Sequence, residues 1–206
     1  MDDLSVERVL RWAALERGTA GLSDDFGAEL VAPSAPAIFV PGDRVIAGRV
    51  VNVRRQRSAD IRSSFTTLYD VVRPSCVVLV DADPQAGAAF GSNLALAAAV
   101  AGAQALVTNG VARDSTRLTM LGLPVGCAGW TPRRPAGGPM TAVDQVQMFG
   151  VSWRQGDWLL RDMDGIARLD NALAASIAAE IAAGADREVR ALVTGTPVAA
   201  RSAGGV

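Results

Sequence analysis

The chain predicts an α/β fold built around parallel strands, and three stretches carry that prediction. The run "CVVLVD" (76–81) is apolar, β-branched and as long as a buried strand; "SNLALAAAVAGA" (92–103) reads as a helix; "ALVTN" (105–109) reads as a second strand. Strand, helix and strand in that order make a βαβ unit, whose strands run parallel. With 206 residues, 50% of them hydrophobic, and a net charge of −1, the chain reads as one globular domain over 1–206 with a sizeable core.

The remaining elements follow from pattern. "VERVLRWAALER" (6–17) is amphipathic at helical spacing, so an N-terminal helix fills about residues 1–20, closed by "GTAG" (18–21), and a second short helix follows Ser23. The loop "APSAP" (32–36) leads to strand-like "AIFV" (37–40) and "VIAGRVVNV" (45–53), separated by the turn "PGD" (41–43). A helix at "SSFTTLYDVV" (63–72) precedes the βαβ unit, and "LPVGCAG" (123–129) supplies a further strand. After the Pro/Gly loop "TPRRPAGGP" (131–139) come "VQMFGVSW" (146–153) and a hairpin-like "GDWLLRDMDGIARL" (156–169), in which Asp162, Asp164 and Gly165 read as the turn. The alanine-rich "DNALAASIAAEIAAGA" (170–185) is a closing helix that packs on the sheet or on a neighbouring subunit, and 195–206 reads as a flexible tail.

Composition removes several function classes. Near-neutral charge argues against nucleic acid as the main partner, because phosphate binding needs concentrated positive charge, and the one basic cluster, "RVVNVRRQR" (49–57), reads as a solvated strand edge. No secretory signal is apparent in "MDDLSVERVL", and "LALAAAVAGAQALV" (94–107) is too short and alanine-rich to span a bilayer, so the expected compartment is the cytoplasm. Cys76 and Cys127 read as small core residues. There is no histidine, and every one of the 20 basic residues is arginine. Schiff-base chemistry, imidazole bases, a Ser-His-Asp triad and histidine-rich zinc sites are thereby excluded. Carboxylates, hydroxyls, backbone amides, arginine and a hard cation, Mg²⁺ or Mn²⁺, are what remain for catalysis.

Ligands of open α/β sheets bind beyond the carboxyl ends of the strands, and two such ends stand out. In "VDADPQAGAAFGSNL" (80–94) a strand end and a glycine-containing loop lead into a helix start, whose free N–H groups near Asn93 and Leu94 suit a substrate carboxylate; Ser92 or Asn93 read equally as N-caps. In "LVTNGVARDST" (106–116) Arg113 offers a planar fork to a carboxylate or enolate oxygen, and Asp114 a hard oxygen to a divalent cation. A solvated ion pair, or Asp114 capping a short helix "DSTRLTML", is the plainer account of the same residues. Both ends belong to one βαβ unit, which makes them neighbours.

"FGSNLALAAAVAGAQALVTNGVARD" (90–114), "LGLPVGCAGWTP" (121–132) and "GVSWRQGDWLLRDMDGIARL" (150–169) together resemble the RraA-like proteins. That group contains the regulator of ribonuclease activity A and the class II 4-hydroxy-4-methyl-2-oxoglutarate aldolases. The resemblance covers about residues 20–170. It implies a swivelling β/β/α-type domain, a homotrimer with sites at subunit boundaries, and pyruvate-releasing lyase chemistry in the metal-dependent members. Position by position it implies that Arg113 stabilises the pyruvate enolate, that Asp114 is the protein ligand to Mg²⁺ or Mn²⁺, and that amides of the Gly91, Asn93 and Leu94 turn hold the pyruvate carboxylate.

One position departs from the family pattern. Where the aldolases carry an acid followed by twenty residues and then Arg-Asp, this chain has Ser92, whose hydroxyl can position water but cannot act as a carboxylate base. Decarboxylation of a 2-oxo acid with a β-carboxylate, such as oxaloacetate, asks less of that position than aldol cleavage does. Asp81 or Asp83 on the adjacent strand end are substitute acids, although both read more simply as turn residues; Arg133 and Arg134 could face a carboxylated substrate, or equally a solvated surface. The expected function is a metal-dependent lyase or decarboxylase acting on a small 2-oxo acid, with Arg113 and Ser92 in the reacting centre. The competing expectation is a non-catalytic regulator that binds a protein partner such as a ribonuclease.

Overall fold

The computed structural model describes residues 3–30, 38–40, 45–56, 62–135 and 138–184. Helix α1 (Asp3–Phe26) is followed by strands β1 (Glu29–Leu30), β2 (Ile38–Val40) and β3 (Ile46–Arg55), helix α2 (Arg62–Val71), strand β4 (Val77–Asp81), helix α3 (Ser92–Val100), and strands β5 (Ala105–Thr108) and β6 (Val111–Ala112). Then come helix α4 (Ser115–Leu121), strands β7 (Val125–Cys127), β8 (Gly129–Trp130), β9 (Met140–Ala142), β10 (Gln145–Met148), β11 (Val151–Arg154), β12 (Trp158–Arg161) and β13 (Ile166–Leu169), and helix α5 (Asn171–Gly184).

The main sheet has the order β1-β13-β12-β3-β4-β5-β7-β2, with β9 also on β3. Strands β3, β4, β5 and β7 are mutually parallel, which realises the expected βαβ unit with Val77 opposite Ala105. Strand β3 is long enough to serve two partnerships on one edge: its first half pairs antiparallel with β12 and its last residues with β9. The sheet is therefore mixed, parallel where helices cross over and antiparallel where hairpins return.

Side-chain alternation sorts the core into layers. On one face Val51, Val53, Val78, Val80 and Leu106 lie under α2, α3 and α4, while Ala47, Trp158, Leu160 and Leu169 lie under α1 and α5. On the other face Ile46, Val50, Val77, Leu79, Val107 and Leu159 meet Val146, Met148 and Trp153 of the β10–β11 hairpin. Hairpin, sheet and helices thus make three layers. Strand β4 is covered on both faces, so Val77 through Val80 are all fully buried, which is why its sequence reads as an unbroken apolar run. Each such side chain contributes about 1.5–3 kcal/mol. Cys76 and Cys127 are free and buried, and burial pushes both thiols up, away from reactivity.

The expectation for the first helix needs correction, and the structure decides two points that the sequence left open. The first helix does not close over 18–21: only Gly18 leaves helical geometry, at φ 69°, and the chain resumes helix over 19–26, four residues before Ser23. Strands β2 and β3, whose pairing the sequence left open, are separated in the sheet by β4, β5 and β7, and β2 pairs with β7. The run 146–153, to which the sequence assigned no element, is most of a hairpin, turned at Phe149 and Gly150, both at positive φ as a type I′ turn requires. The expected tail, 195–206, and the loop and turn at 32–36 and 41–43 lie outside the described residues.

Candidate functional site

The parallel strands end together, and the loops leaving β4 and β5 form the site. After β4 the chain makes a short 3-10 turn at Pro84–Ala86, capped by the Asp83 carboxylate on the Gln85 N–H (2.8 Å), and runs to Gly91. The segment before α3 is pinned to the segment after β5: the Ala89 N–H donates to Val111 O (2.7 Å) and the Arg113 N–H to Phe90 O (3.1 Å). From the other side Arg55, at the end of β3, donates to Ala89 O (2.7 Å) and Gly138 O (3.0 Å). Strand ends separated in sequence are thereby fixed against one another.

Asp114 occupies the position before α4 but does not cap it with its side chain. Its backbone is left-handed, φ 62° and ψ 38°, a conformation that aspartate tolerates better than most residues. The carboxylate turns instead to α3, where Oδ2 accepts from the Ser92 N–H (3.1 Å) and the Ser92 hydroxyl (3.0 Å), with Arg113 Nε at 3.7 Å. The residue capping α3 by position is Gly91, which has no side chain to offer. Asp114 supplies the missing acceptor across the gap.

Gly91 is required by this approach. A Cβ there would stand 2.6 Å from Asp114 Oδ2 and 2.9 Å from Arg113 Cγ and Nε. The first helical bond of α3 is Ala95 N–H to Gly91 O, and no described acceptor takes the Asn93 or Leu94 N–H groups, which remain available at the positive end of the helix. Burial pushes the Asp114 carboxyl up, but the two Ser92 donors and the charges of Arg113 and Arg117 more than reverse this, and its net pKa is lowered. An open cleft of about 560 Å³ lies against the pair, lined by Arg113, Asp114, Arg117, Trp130 and Thr131 among others.

Gly91, Ser92, Asn93, Leu94, Arg113 and Asp114 therefore come together at one place. The Ser92 hydroxyl donates its proton to Asp114 and keeps only its lone pairs for other partners. Asp81 is not free either: Arg54 Nε holds Oδ2 (2.8 Å) and Asn109 Nδ2 holds Oδ1 (2.9 Å). Arg133 and Arg134 run beside Gly87, in the loop that leads to the site. Asp162 is structural, accepting from the Thr19 N–H (2.5 Å), the Thr19 hydroxyl (2.9 Å) and two N–H groups of its own turn. By sequence Arg55 reads only as part of the basic cluster 49–57 on a solvated strand edge, and Arg117 only as part of a short helix; the fold instead half-buries Arg55 against Ala89 O and Gly138 O and brings Arg117 to the cleft.

Among the described residues no group of three or more His, Cys, Asp or Glu gathers to hold a metal. Asp114 offers a single ionised carboxylate with one oxygen held by Ser92. Such a donor suits Mg²⁺, which keeps several waters and takes one or two carboxylates together with substrate oxygens.

The RraA-like family model (Aldolase/RraA) matches residues 19–168. The chain belongs to the RraA-like family. This family includes both aldolases and regulatory inhibitors. Similar solved structures include the RNA-processing inhibitor RraA from Thermus thermophilis, 25% identical, covering 73% of this chain and 91% of that one with a TM-score of 0.61. The S-adenosylmethionine: 2-dimethylmenaquinone methyltransferase from Geobacillus kaustophilus is 25% identical over 74% of this chain and 94% of its own, at a TM-score of 0.63. Streptomyces coelicolor RraAS2, described as an unusual member of the RNase ES inhibitor RraA family, shares the fold at 22% identity, 89% and 94% coverage and a TM-score of 0.68. No curated protein sequence matches the chain significantly. Among the described residues no helix is long and apolar enough to cross a membrane.

Proposed function

We propose that this RraA-like protein is a metal-dependent lyase or decarboxylase for a small 2-oxo acid. The observation that carries the reading is the convergence of Arg113 and Asp114 on the open N–H groups of α3, across a glycine that leaves no room for a side chain. The Asn93 and Leu94 amides receive the substrate carboxylate, Arg113 faces the 2-oxo oxygen, and Asp114 holds Mg²⁺ or Mn²⁺. A bound cation supplies Lewis-acid stabilisation of the same oxygen.

For oxaloacetate, the bond between C3 and the distal carboxylate breaks, its electron pair passes into the C2–C3 enolate, and CO₂ leaves. Negative charge gathers on the former 2-oxo oxygen, where the Arg113 guanidinium would stabilise it, and C3 then takes a proton from solvent to give pyruvate. No base is needed to begin this reaction. Retro-aldol cleavage does need one to deprotonate a hydroxyl, and Ser92 has none to offer.

Two results test the reading. Asp114→Ala abolishes Mg²⁺ binding by calorimetry while the circular dichroism stays unchanged; undiminished affinity removes the metal site. Pyruvate release by the wild type is faster from oxaloacetate than from 4-hydroxy-4-methyl-2-oxoglutarate, and Ser92→Asp raises the second rate by about 10²–10⁴-fold, the usual worth of an acid–base group. Inactivity on both substrates despite metal binding would point to a different reaction.

A second reading, a regulator that binds a protein such as a ribonuclease, draws support from the likeness to the Thermus inhibitor and from Leu96, Val100 and Met120, which are exposed on α3 and α4. Metal titration separates the two, since an interaction module has no need of a cation on Asp114.

A further inference from the structure

The cleft beside Asp114 carries more positive charge than a monocarboxylic acid needs. Arg113 and Arg117 both line it, four residues apart, and Asp114 is the only carboxylate among its lining residues. Arg117 makes no hydrogen bond or ion pair with any described residue, whereas Arg54 is held by Asp81, and Arg168 by Asp157 and Glu29. It is nevertheless close enough to act on the Asp114 carboxyl through its charge. Arg117 lies in the first turn of α4, three residues beyond Asp114. Two guanidiniums lining one cleft repel each other, and an anion bound between them relieves the repulsion.

We infer that Arg117 is the specificity-determining residue of this cleft, binding a second carboxylate at the far end of a short 2-oxo dicarboxylic acid. The inference rests on the 2-oxo-acid reading of the site and adds to it the side chain that selects the substrate. Arg113 takes the end that all 2-oxo acids share. Arg117 takes the end that only a dicarboxylate has, with the planar fork that arginine presents to a carboxylate. Trp130 and Thr131 line the same cleft.

The test uses two acids of equal length that carry no bond the site would break: 2-oxoglutarate and its monocarboxylate counterpart 2-oxopentanoate. Their affinities are measured by calorimetry with Mg²⁺ present, with oxalate as a ligand for the shared end alone. Hydrogen bonds to charged groups, discounted for an exposed arginine, make a preference of about tenfold for 2-oxoglutarate in the wild type. Arg117→Gln brings that preference to near unity by weakening 2-oxoglutarate alone, and Arg117→Lys keeps part of it. A wild type that binds oxalate and both acids without preference overturns the role of Arg117, as does a preference that persists in Arg117→Gln. Equal weakening of all three ligands by Arg117→Gln would place Arg117 at the shared end and also overturn it. A wild type that binds none of the three overturns the 2-oxo-acid reading itself, and the inference with it.

Discussion

Asp114 shows how one residue's backbone can determine what its side chain does. An ordinary helix-capping aspartate has extended backbone and folds its carboxylate over its own first turn. Here the left-handed backbone swings the carboxylate to Ser92 on a different helix, and α4 begins without a side-chain cap. The folded-state pKa of Asp114 lies below its unfolded value. The Ser92 bonds therefore stabilise the fold above the ordinary aspartate range, and that contribution is lost as pH falls through the lowered value, from about pH 4 downward. Ser92→Ala removes one of the two donors, so the Asp114 carbon resonance should titrate at a higher pH than in the wild type; an unchanged midpoint would mean the hydroxyl bond contributes nothing. Gly91→Ala drives a methyl to within 2.6 Å of the same oxygen. We expect it to cost about 1–3 kcal/mol in urea denaturation, as overpacking does, and to displace the carboxylate enough to lose Mg²⁺ binding.

Among the elements, the first helix depends on a partner far along the chain. Gly18 breaks it with a left-handed φ, exposing the Thr19 N–H at the start of the second part, and Asp162 from the β12–β13 turn accepts both that N–H and the Thr19 hydroxyl. The turn was legible from "RDMDGI", since Asp-Gly between apolar runs marks a hairpin. Its second task was not, because it involves a helix 143 positions away. Asp162→Ala leaves four buried or half-buried donors without their acceptor, and a loss of about 2–3 kcal/mol is expected, read as a lower urea midpoint at unchanged slope. A change below half a kcal/mol would show that solvent replaces the carboxylate at little cost.

At the scale of the molecule, the helices among the described residues cover one face of the sheet and the β10–β11 hairpin the other, so the site at the strand ends is bounded by loops and by α3 and α4. Those two helices also expose Leu96, Val100 and Met120, the last at 81% exposure. The RraA-like resemblance implies a homotrimer, expected by light scattering at micromolar concentration, and this exposed face beside the cleft is offered as the place where a second copy packs. Val100→Asp should shift it to monomer while leaving the circular dichroism intact. A wild-type monomer would leave the cleft bounded by one chain alone.

The parallel core, the buried strands and the Arg-Asp strand end were determined by the sequence itself, because they depend on local apolar runs and on residue chemistry within short stretches. The missing histidine and lysine likewise narrowed the chemistry before any fold was considered. Tertiary structure decided everything that depends on partners distant in sequence. It put β2 beside β7 rather than β3, bound the Ser92 hydroxyl to a carboxylate 22 positions away, engaged Asp81 with Arg54, and brought Arg117 to the cleft. Hydrophobic periodicity reports which face of an element is buried, but it carries no information about which side chains meet across loops. Only the packed sheet, with its strand ends in register, sets those distances.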